Sequence, residues 1–279
     1  MNEKAPNSRR NLDITNERLF GMNENPLQVR TLMANTIIGQ LLPKGVVKGG
    51  CALKLRYGDK TTRFTRDLDT ARAGKLVTYL EQLEASLKEG WNGFIGKIVR
   101  KEPAKPKGIP GEYIMQPFEI RISYIGRSWL TVPLEIGHDE IGDTEVFDFT
   151  ISQEVITIFS KLGFPAPKPI ALLQIHHQIA QKLHALSAEA SERAHDLIDL
   201  QLIVKYDHID YSLTKNACRR LFAYRRQQAW PPVISAGNGW DTLYGSQIAS
   251  LDVLQNINEA IAWVNNFISV IDEETSKKP

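Results

Sequence analysis

The pattern of apolar residues changes near residue 150, and this change limits the folds that the chain can adopt. Before that point, three runs are typical of strands, at residues 93–100, 114–124 and 129–136. After it, apolar residues recur at helical spacing over residues 151–162, 171–188, 192–205, 212–228 and 252–271. The sequence therefore predicts an α+β fold, with a small mixed sheet in the front half and an α-helical back half.

Shorter segments complete the front half. Residues 27–42 predict a helix, and residues 45–47 predict a short buried strand. The apolar pattern of residues 74–90 predicts an amphipathic helix that ends at a glycine. We expect residues 1–25 to be disordered or poorly ordered. The segment KEPAKPKGIPGE, residues 101–112, predicts a loop.

Composition excludes several classes of protein. The chain has 34 Lys and Arg against 32 Asp and Glu, so its net charge of +2 does not by itself indicate nucleic-acid binding. Cys51 and Cys218 are far apart and predict neither a disulfide framework nor a zinc site. No apolar run reaches the roughly 18 residues of a membrane span, and the N-terminus lacks the apolar centre of a signal peptide. We therefore expect a cytoplasmic protein without membrane contact.

The stretch KGGCALKLRYGDKTTRFTRDLDT, residues 48–70, combines two glycines with two aspartates. Gly49 and Gly50 follow the predicted strand, and without Cβ atoms they let backbone N–H groups approach phosphate oxygens at the start of a helix. Asp67 and Asp69 are two residues apart, so in a strand they project to the same side. Adjacent carboxylates repel each other unless a cation lies between them. Mg²⁺ suits them, because it takes one or two carboxylates together with water and substrate phosphates.

The strand at residues 129–136 supplies a third carboxylate. Its apolar residues lie on one face, which places Glu135 on the other. Three carboxylates on neighbouring strands could hold two metal ions about 4 Å apart, one activating an attacking hydroxyl and one stabilising the leaving phosphate. The pattern predicts Asp67, Asp69 and Glu135 as metal ligands.

Each part of this pattern has a simpler explanation when taken alone. An Asp-x-Asp pair is more often a solvated strand end or a turn, and a Gly-Gly pair is more often a turn. The order of the parts is more specific: a strand, two glycines, a helix, Asp-x-Asp, and later an apolar-Glu-apolar strand. The combination favours a functional site.

This order of motifs resembles the nucleotidyltransferase superfamily of the DNA polymerase β type. More narrowly, KGGCALKLRYG followed by RFTRDLDT resembles the AbiEii/AbiGii-type toxins, which include the mycobacterial MenT nucleotidyltransferases. The segment QKLHALSAEASERAHDLIDLQLI is similar to that family's Lys, Arg and Asp-x-x-Asp-Leu helices. The resemblance spans roughly residues 30–205. It implies a nucleotidyltransferase domain at residues 26–150 and a helical C-terminal domain at residues 151–279.

The resemblance also implies roles for the residues of the front half. Gly49 and Gly50 would bind a nucleoside triphosphate, while Asp67 and Asp69 would bind metal and take part in catalysis. Cys51, a further nucleotide-binding candidate, stands where the family often has Thr or Ser. A thiol is a weaker hydrogen-bond donor than a hydroxyl, so the side chain at this position departs from the family pattern.

The back half carries charged residues beside apolar helix faces. Lys182 borders such a face, and either extends its ammonium into a cleft or reaches the surface. Asp196 is partly buried on the next helix and needs a cation. Arg193 could supply that cation, or Lys182, Asp196 and Asp199 could line the cleft between the two halves. The resemblance implies that Lys182 contacts phosphate and that Asp196 or Asp199 completes the catalytic site.

A basic and aromatic segment, RRLFAYRRQQAW, occupies residues 219–230. Guanidinium groups bind phosphates and aromatic rings stack on unpaired bases, which favours a site for a single-stranded RNA end. A helix with one charged and one apolar face is equally compatible with the pattern. The lysines of residues 97–107 could extend the basic surface. The RNA-binding candidates are Arg219, Arg220, Arg225 and Arg226.

These features support one leading hypothesis and two alternatives. In the leading one, the chain uses two Mg²⁺ ions to transfer nucleoside monophosphate from a nucleoside triphosphate to an acceptor. The resemblance alone implies that the acceptor is the 3′ end of tRNA, that translation is blocked, and that a separate antitoxin restrains this toxin. In the first alternative the acceptor is a hydroxyl of a protein or small molecule. In the second the chain is a non-catalytic RNA-binding module.

Overall fold

The protein is described by a computed structural model that covers residues 4–22, 25–102 and 116–274. The chain divides into two compact units, each built from several stretches of sequence. The first comprises Met1–Asp59, Phe64–Asp139 and Thr144–Leu172. The second comprises Lys60–Arg63, Glu140–Asp143 and Leu173–Pro279.

Within the described residues, the first unit contains a seven-stranded mixed sheet, to which the second contributes only the last residue of one strand. The strands are β1 (Gly45–Lys48), β2 (Leu68–Arg72), β3 (Phe94–Arg100), β4 (Gln116–Tyr124), β5 (Arg127–His138), β6 (Phe147–Thr150) and β7 (Ile170–Leu173). They lie in the order β3-β4-β5-β2-β1-β7-β6. β2 is antiparallel to β1 and parallel to β5, and β1 is parallel to β7. The predicted mixed sheet is confirmed and is larger than expected.

Three helices in the described part of the first unit begin where a polar side chain can satisfy one of their first N–H groups. Ser8, Asn25 and Ser152 each accept a hydrogen bond from the main chain of the helix that follows. The buried faces of these helices pack into one apolar core with Leu68, Val132 and Leu134 of the sheet. The helices are α1 (Arg9–Phe20), α2 (Pro26–Leu41), α3 (Gly49–Tyr57), α4 (Leu76–Glu89) and α5 (Gln153–Lys161).

Two segments differ from the expectation. Residues 9–20 form α1, where a disordered N-terminus is expected, because Leu12 and Phe20 are buried in the core. The helix predicted over residues 171–188 begins only at Ile175, because the apolar run before it forms β7. By its pattern alone, this short apolar run fits either a strand or a helix. The long-range pairing of Val47 on β1 with Leu172 makes it a strand.

The second unit is helical among its described residues, as the sequence predicts. A short helix lies in the segment after Trp230, for which the sequence predicts only a loop or short irregular elements. No helix in the described part of the chain is long and apolar enough to cross a membrane. The helices are α6 (Ile175–Leu186), α7 (His195–Tyr206), α8 (Tyr211–Arg225), α9 (Trp240–Gly245) and α10 (Ile257–Glu273).

Candidate functional site

In the first unit, β1 runs directly into α3 at the glycine pair. Gly49 has a φ of +65°, in the left-handed region that favours glycine, and Gly50 is buried. Lys48 is the N-cap residue, and its side chain makes no capping hydrogen bond. The first N–H groups of a helix have no partner within the helix, and they coincide with the positive end of its dipole. The start of α3 can therefore bind a phosphate group.

The carboxylate of Asp69 lies against the Cα of Gly49. A Cβ atom at position 49 would overlap Asp69 Oδ2, so any other residue would displace the carboxylate or the start of α3. Glycine is thus required here both by the backbone conformation and by the approach of Asp69. Gly49 and Asp69, 20 residues apart in sequence, thus lie against each other in the first unit.

Strand pairing arranges three charged residues in a row across the sheet. Asp69 of β2 is the register partner of Lys48 on β1 and of Glu135 on β5. Register partners project to the same face of a sheet, so all three side chains share one face. Gly137 makes room for Lys48, because a Cβ atom at Gly137 would lie 3.2 Å from Lys48 Nζ. Sequence reasoning missed Lys48, although its place directly before the two glycines could have indicated a role.

The first unit offers oxygen ligands suited to Mg²⁺. Asp67 is exposed directly before β2, and Asp69 and Glu135 are half-buried on adjacent strands. Over the described ranges, no three His, Cys, Asp or Glu side chains form a group that could hold a metal ion. Mg²⁺ commonly takes only one or two protein carboxylates and adds water and substrate phosphates. Asp69, which lies against Gly49 at the start of α3, and Asp67, two residues before it in sequence, could supply the carboxylates of a site of that kind.

Cys51 lies in the core, with a fully buried side chain. Burial, and next the charge of Asp69, raise the pKa of its thiol to about 12. The thiol is therefore protonated at neutral pH and packs as an apolar group. Cys51 can bind a phosphate through its main-chain N–H, which lies in the first turn of α3.

In the second unit, Lys182 lies between Asp196 and Asp199. Its Nζ donates to Asp196 Oδ1 at 2.7 Å and to Asp199 Oδ2 at 2.6 Å. The exposed fraction is 6% for Lys182, 0% for Asp196 and 1% for Asp199. The structure thus joins three of the predicted residues in a buried cluster, and Lys182 does not reach the surface as a solvated lysine.

Two arginines complete this cluster. Arg63 donates Nε to Asp199 Oδ1 at 2.9 Å and Nη2 to Asp199 Oδ2 at 3.0 Å. Arg193 donates Nε to Asp196 Oδ2 at 3.0 Å, so the Arg193–Asp196 pair and the Lys182 contact are both present. The three cations exceed the two carboxylates by one positive charge. Such an excess would attract an anion.

The pKa values define the charge states of the cluster. Burial acts to raise the pKa of Asp196, but the charges of Lys182 and Arg193 outweigh it and hold the pKa well below its usual range. At Asp199, burial likewise acts to raise the pKa, but the charges of Arg63 and Lys182 outweigh it, so the pKa of Asp199 is lowered. Both carboxylates are therefore ionised at neutral pH and are weak proton acceptors there. Burial lowers the pKa of His195 to about 4, so this neighbour is neutral.

The four predicted RNA-binding arginines have different environments. Arg225 forms a two-pronged pair with Glu140, at 3.0 and 2.7 Å, and Arg220 donates to the carbonyl of Ile141. Arg219 lies 3.6 Å from Asp272 and is largely exposed. Arg226 is exposed at the end of α8. Among the lysines expected to extend this basic surface, those at positions 105 and 107 lie outside the described residues.

Comparisons with known proteins identify the family. No curated protein matches the chain. Among solved structures, MenT4, a nucleotidyltransferase toxin from Mycobacterium tuberculosis H37Rv, is 16% identical, with a TM-score of 0.49 over 94% of this chain and 93% of that chain. JHP933 from Helicobacter pylori is 19% identical, with a TM-score of 0.45 over 88% and 90% of the respective chains. Residues 31–263 match the family described as "Nucleotidyl transferase AbiEii toxin, Type IV TA system". Because this match covers most of the sequence, the chain belongs to the AbiEii nucleotidyltransferase toxin family of type IV toxin–antitoxin systems.

Proposed function

We propose that this toxin transfers a nucleoside monophosphate from a nucleoside triphosphate to the 3′ end of tRNA and thereby blocks translation. The observation that carries the proposal is the approach of the Asp69 carboxylate to Gly49 at the start of α3. This contact places a carboxylate that can hold a metal beside backbone donors that can hold phosphates. Family membership supports the transfer of a nucleotide.

Each part of the first-unit site has a task in this reaction. The N–H groups at Gly49, Gly50 and Cys51 bind the triphosphate. Asp67 and Asp69 hold Mg²⁺, and Glu135 assists from the adjacent strand. When bound, two Mg²⁺ ions would activate the attacking hydroxyl and neutralise the charge of the leaving pyrophosphate. Lys48, on the same face of the sheet as Asp69, adds a positive charge that can steady a phosphate oxygen.

The second-unit cluster serves the same reaction through its charge. We assign Lys182 the task of contacting phosphate, and Asp196 and Asp199 hold its ammonium in place by hydrogen bonds of 2.7 and 2.6 Å. The depressed pKa values of the two carboxylates favour this positioning task over proton abstraction.

The remaining partners follow from the family. Membership of a type IV toxin–antitoxin family supports a separate antitoxin protein that restrains the toxin. We further propose that the toxin acts in the cytoplasm and that its acceptor is tRNA. The chain requires Mg²⁺, so chelation with EDTA abolishes transfer and added Mg²⁺ restores it.

One assay tests the proposal. The purified full chain is incubated with total tRNA, Mg²⁺ and each of the four labelled nucleoside triphosphates in turn. We expect label in tRNA with at least one triphosphate, and a loss of at least 100-fold on Asp69→Asn or Asp67→Asn. Asp241→Asn, at an exposed position on α9, is the matched control and retains activity.

The same assay separates the alternatives. Label in protein or in a small organic product, and none in RNA, would assign a different acceptor. The proposal is wrong if no tRNA is labelled and Asp67→Ala leaves toxicity unchanged. The absence of Mg²⁺-dependent nucleotide binding by calorimetry would then indicate a non-catalytic RNA-binding module.

A further inference from the structure

The second unit contains a cavity beside the end of α8. Its volume is about 280 Å³, and its walls come from α8, the segment that follows it and α10. It is lined in part by Arg219, Phe222, Gln228, Trp230 and Asp272. These residues include both ends of the basic and aromatic segment at 219–230, whose arginines have no assigned task in nucleotide transfer.

One wall of the cavity is aromatic. Phe222 and Trp230 meet edge to face, with ring centroids 5.4 Å apart and planes at 73°. Phe222 is buried and supports Trp230, which is half-buried. Asp272 fixes the indole further, because Asp272 Oδ1 accepts a hydrogen bond from Trp230 Nε1 at 2.9 Å. The cavity therefore has a fixed π surface on which a planar ring could stack.

Two side chains of the cavity wall, Gln228 and Asp272, carry acceptor oxygens. Gln228 Oε1 is buried and has no hydrogen-bond partner among the described residues. Within the described part of the chain, Trp230 and Arg219 both contact Oδ1 of the Asp272 carboxylate, so Oδ2 can accept a hydrogen bond from a ligand. A buried acceptor without a partner is costly, and a ligand that donates to it removes that cost. The cavity thus matches a planar ring that bears an amino group.

We propose that this cavity binds one unpaired, amino-bearing nucleobase of a single-stranded RNA. A volume of 280 Å³ lies just below the range of about 300–1,000 Å³ for ligand pockets, which suits one ring system better than a whole nucleoside triphosphate. The largely exposed Arg219 at the rim can bind the adjoining phosphate. Arg225 and Arg220 take no part, since they bind Glu140 and the carbonyl of Ile141.

The proposal names a binding site for the RNA substrate and so rests on the proposed function, but its test does not need catalysis. Cytosine and uracil have the same ring size and differ at C4, where cytosine carries an amino donor and uracil a carbonyl acceptor. Fluorescein-labelled hexanucleotides of cytidine, of uridine and of abasic sugar are titrated with the full chain, without nucleoside triphosphate or Mg²⁺. Fluorescence anisotropy gives the dissociation constants, and free CMP is tested as a competitor.

We expect the cytidine hexamer to bind roughly tenfold more tightly than the uridine hexamer, because its amino group satisfies buried acceptors. Gln228→Leu keeps most of the side-chain volume and reduces that preference to less than about twofold. Trp230→Ala removes the stacking surface and weakens both base-containing hexamers by roughly tenfold or more, while the abasic hexamer is unaffected. Gln227→Leu, an exposed neighbour outside the cavity, is the matched control and leaves all three constants unchanged.

Two outcomes would overturn the proposal: equal binding of the three hexamers by the unaltered chain, or an unchanged cytidine preference in Gln228→Leu. If free CMP competes as well as the hexamer does, a nucleobase site is supported and its ligand is a free nucleotide. Nucleotide transfer is measured on the same variants. Transfer without base-dependent binding would refute the cavity alone, and base-dependent binding without transfer would refute the proposed reaction alone.

Discussion

Arg63 donates two parallel hydrogen bonds to Asp199, with Nε 2.9 Å from Oδ1 and Nη2 3.0 Å from Oδ2. Arg63 lies between α3 and β2 in sequence, yet it belongs to the helical second unit through this pair. Burial acts to lower the pKa of the Arg63 guanidinium, but the charge of Asp199 outweighs it, so the pKa is raised. The planar fork of arginine matches a carboxylate in a way that lysine cannot.

Arg63→Lys should therefore destabilise the chain although the charge is kept. We expect a loss of about 2 kcal/mol in the free energy of unfolding, since one of two charge-assisted hydrogen bonds to a buried carboxylate disappears. Urea denaturation followed by circular dichroism measures it. Arg127→Lys, at an exposed position, serves as the control and should change stability by less than about 0.5 kcal/mol. An equal effect of the two substitutions would contradict the structural importance of the Arg63 fork.

The sequence predicts the parts of the candidate site whose geometry is local. A glycine pair after a strand and an Asp-x-Asp at the start of another are visible in the residues themselves. The burial alternation of β5, with Val132, Leu134 and Ile136 inside, also follows from period two. The strand before the glycines and the alternation of β5 are confirmed, because each depends on neighbours in sequence. Asp67 lies just before β2 and not within it, so strand alternation does not place its carboxylate on the side of Asp69.

Other features depend on contacts between distant residues and could not be predicted. Nothing in the sequence shows that Arg63 pairs with Asp199, 136 positions away. The run at residues 170–173 becomes a strand only because Val47 pairs with Leu172. The spacing of Lys182 from Asp196 and Asp199 leaves open whether its ammonium turns to them or to solvent. Packing decides such cases, because burial of a charge requires a partner that periodicity does not identify.

The two cysteines should be unreactive in the native chain. Both side chains are fully buried, burial and Asp69 raise the pKa of Cys51 to about 12, and burial raises that of Cys218. Because the thiolate is the reactive form, a chromogenic disulfide reagent at pH 8 should titrate no thiol before unfolding and two after it. Ser235→Cys, at an exposed position, should add one rapidly reacting thiol as a positive control. Rapid reaction of the unaltered native chain would show that a cysteine is accessible.

Acid should destabilise the second unit through His184. Burial, and next the charge of Arg225, lower the pKa of His184 to about 4 from an ordinary value of 6.5. The unfolded chain therefore binds more protons than the folded chain between these values, so stability is full above pH 6.5 and is lost as the pH falls towards 4. The expected loss from this residue is roughly 2 kcal/mol at pH 5. Urea midpoints at pH 7.5 and 5 measure the loss.

His184→Gln should remove that part of the acid sensitivity, because an amide does not titrate. His208→Gln, at an exposed position, is the matched control and should leave the pH dependence as it is. If His184→Gln and the unaltered chain lose the same stability between pH 7.5 and 5, then the histidine is not responsible. The comparison uses differences between pH values, so any change in stability that is independent of pH cancels.

Gly49→Ala should damage nucleotide transfer more than it damages the fold. The new Cβ would overlap Asp69 Oδ2, and alanine would have to adopt a φ of +65°, which costs about 1–2 kcal/mol. The carboxylate or the start of α3 must move, and we expect at least a 100-fold loss of transfer because misplaced reacting groups lose their alignment. Gly74→Ala is the matched control, since a Cβ there meets no atom within 4 Å among the described residues. Full transfer by a folded Gly49→Ala chain would show that the approach of Asp69 to Gly49 does not form the nucleotide site.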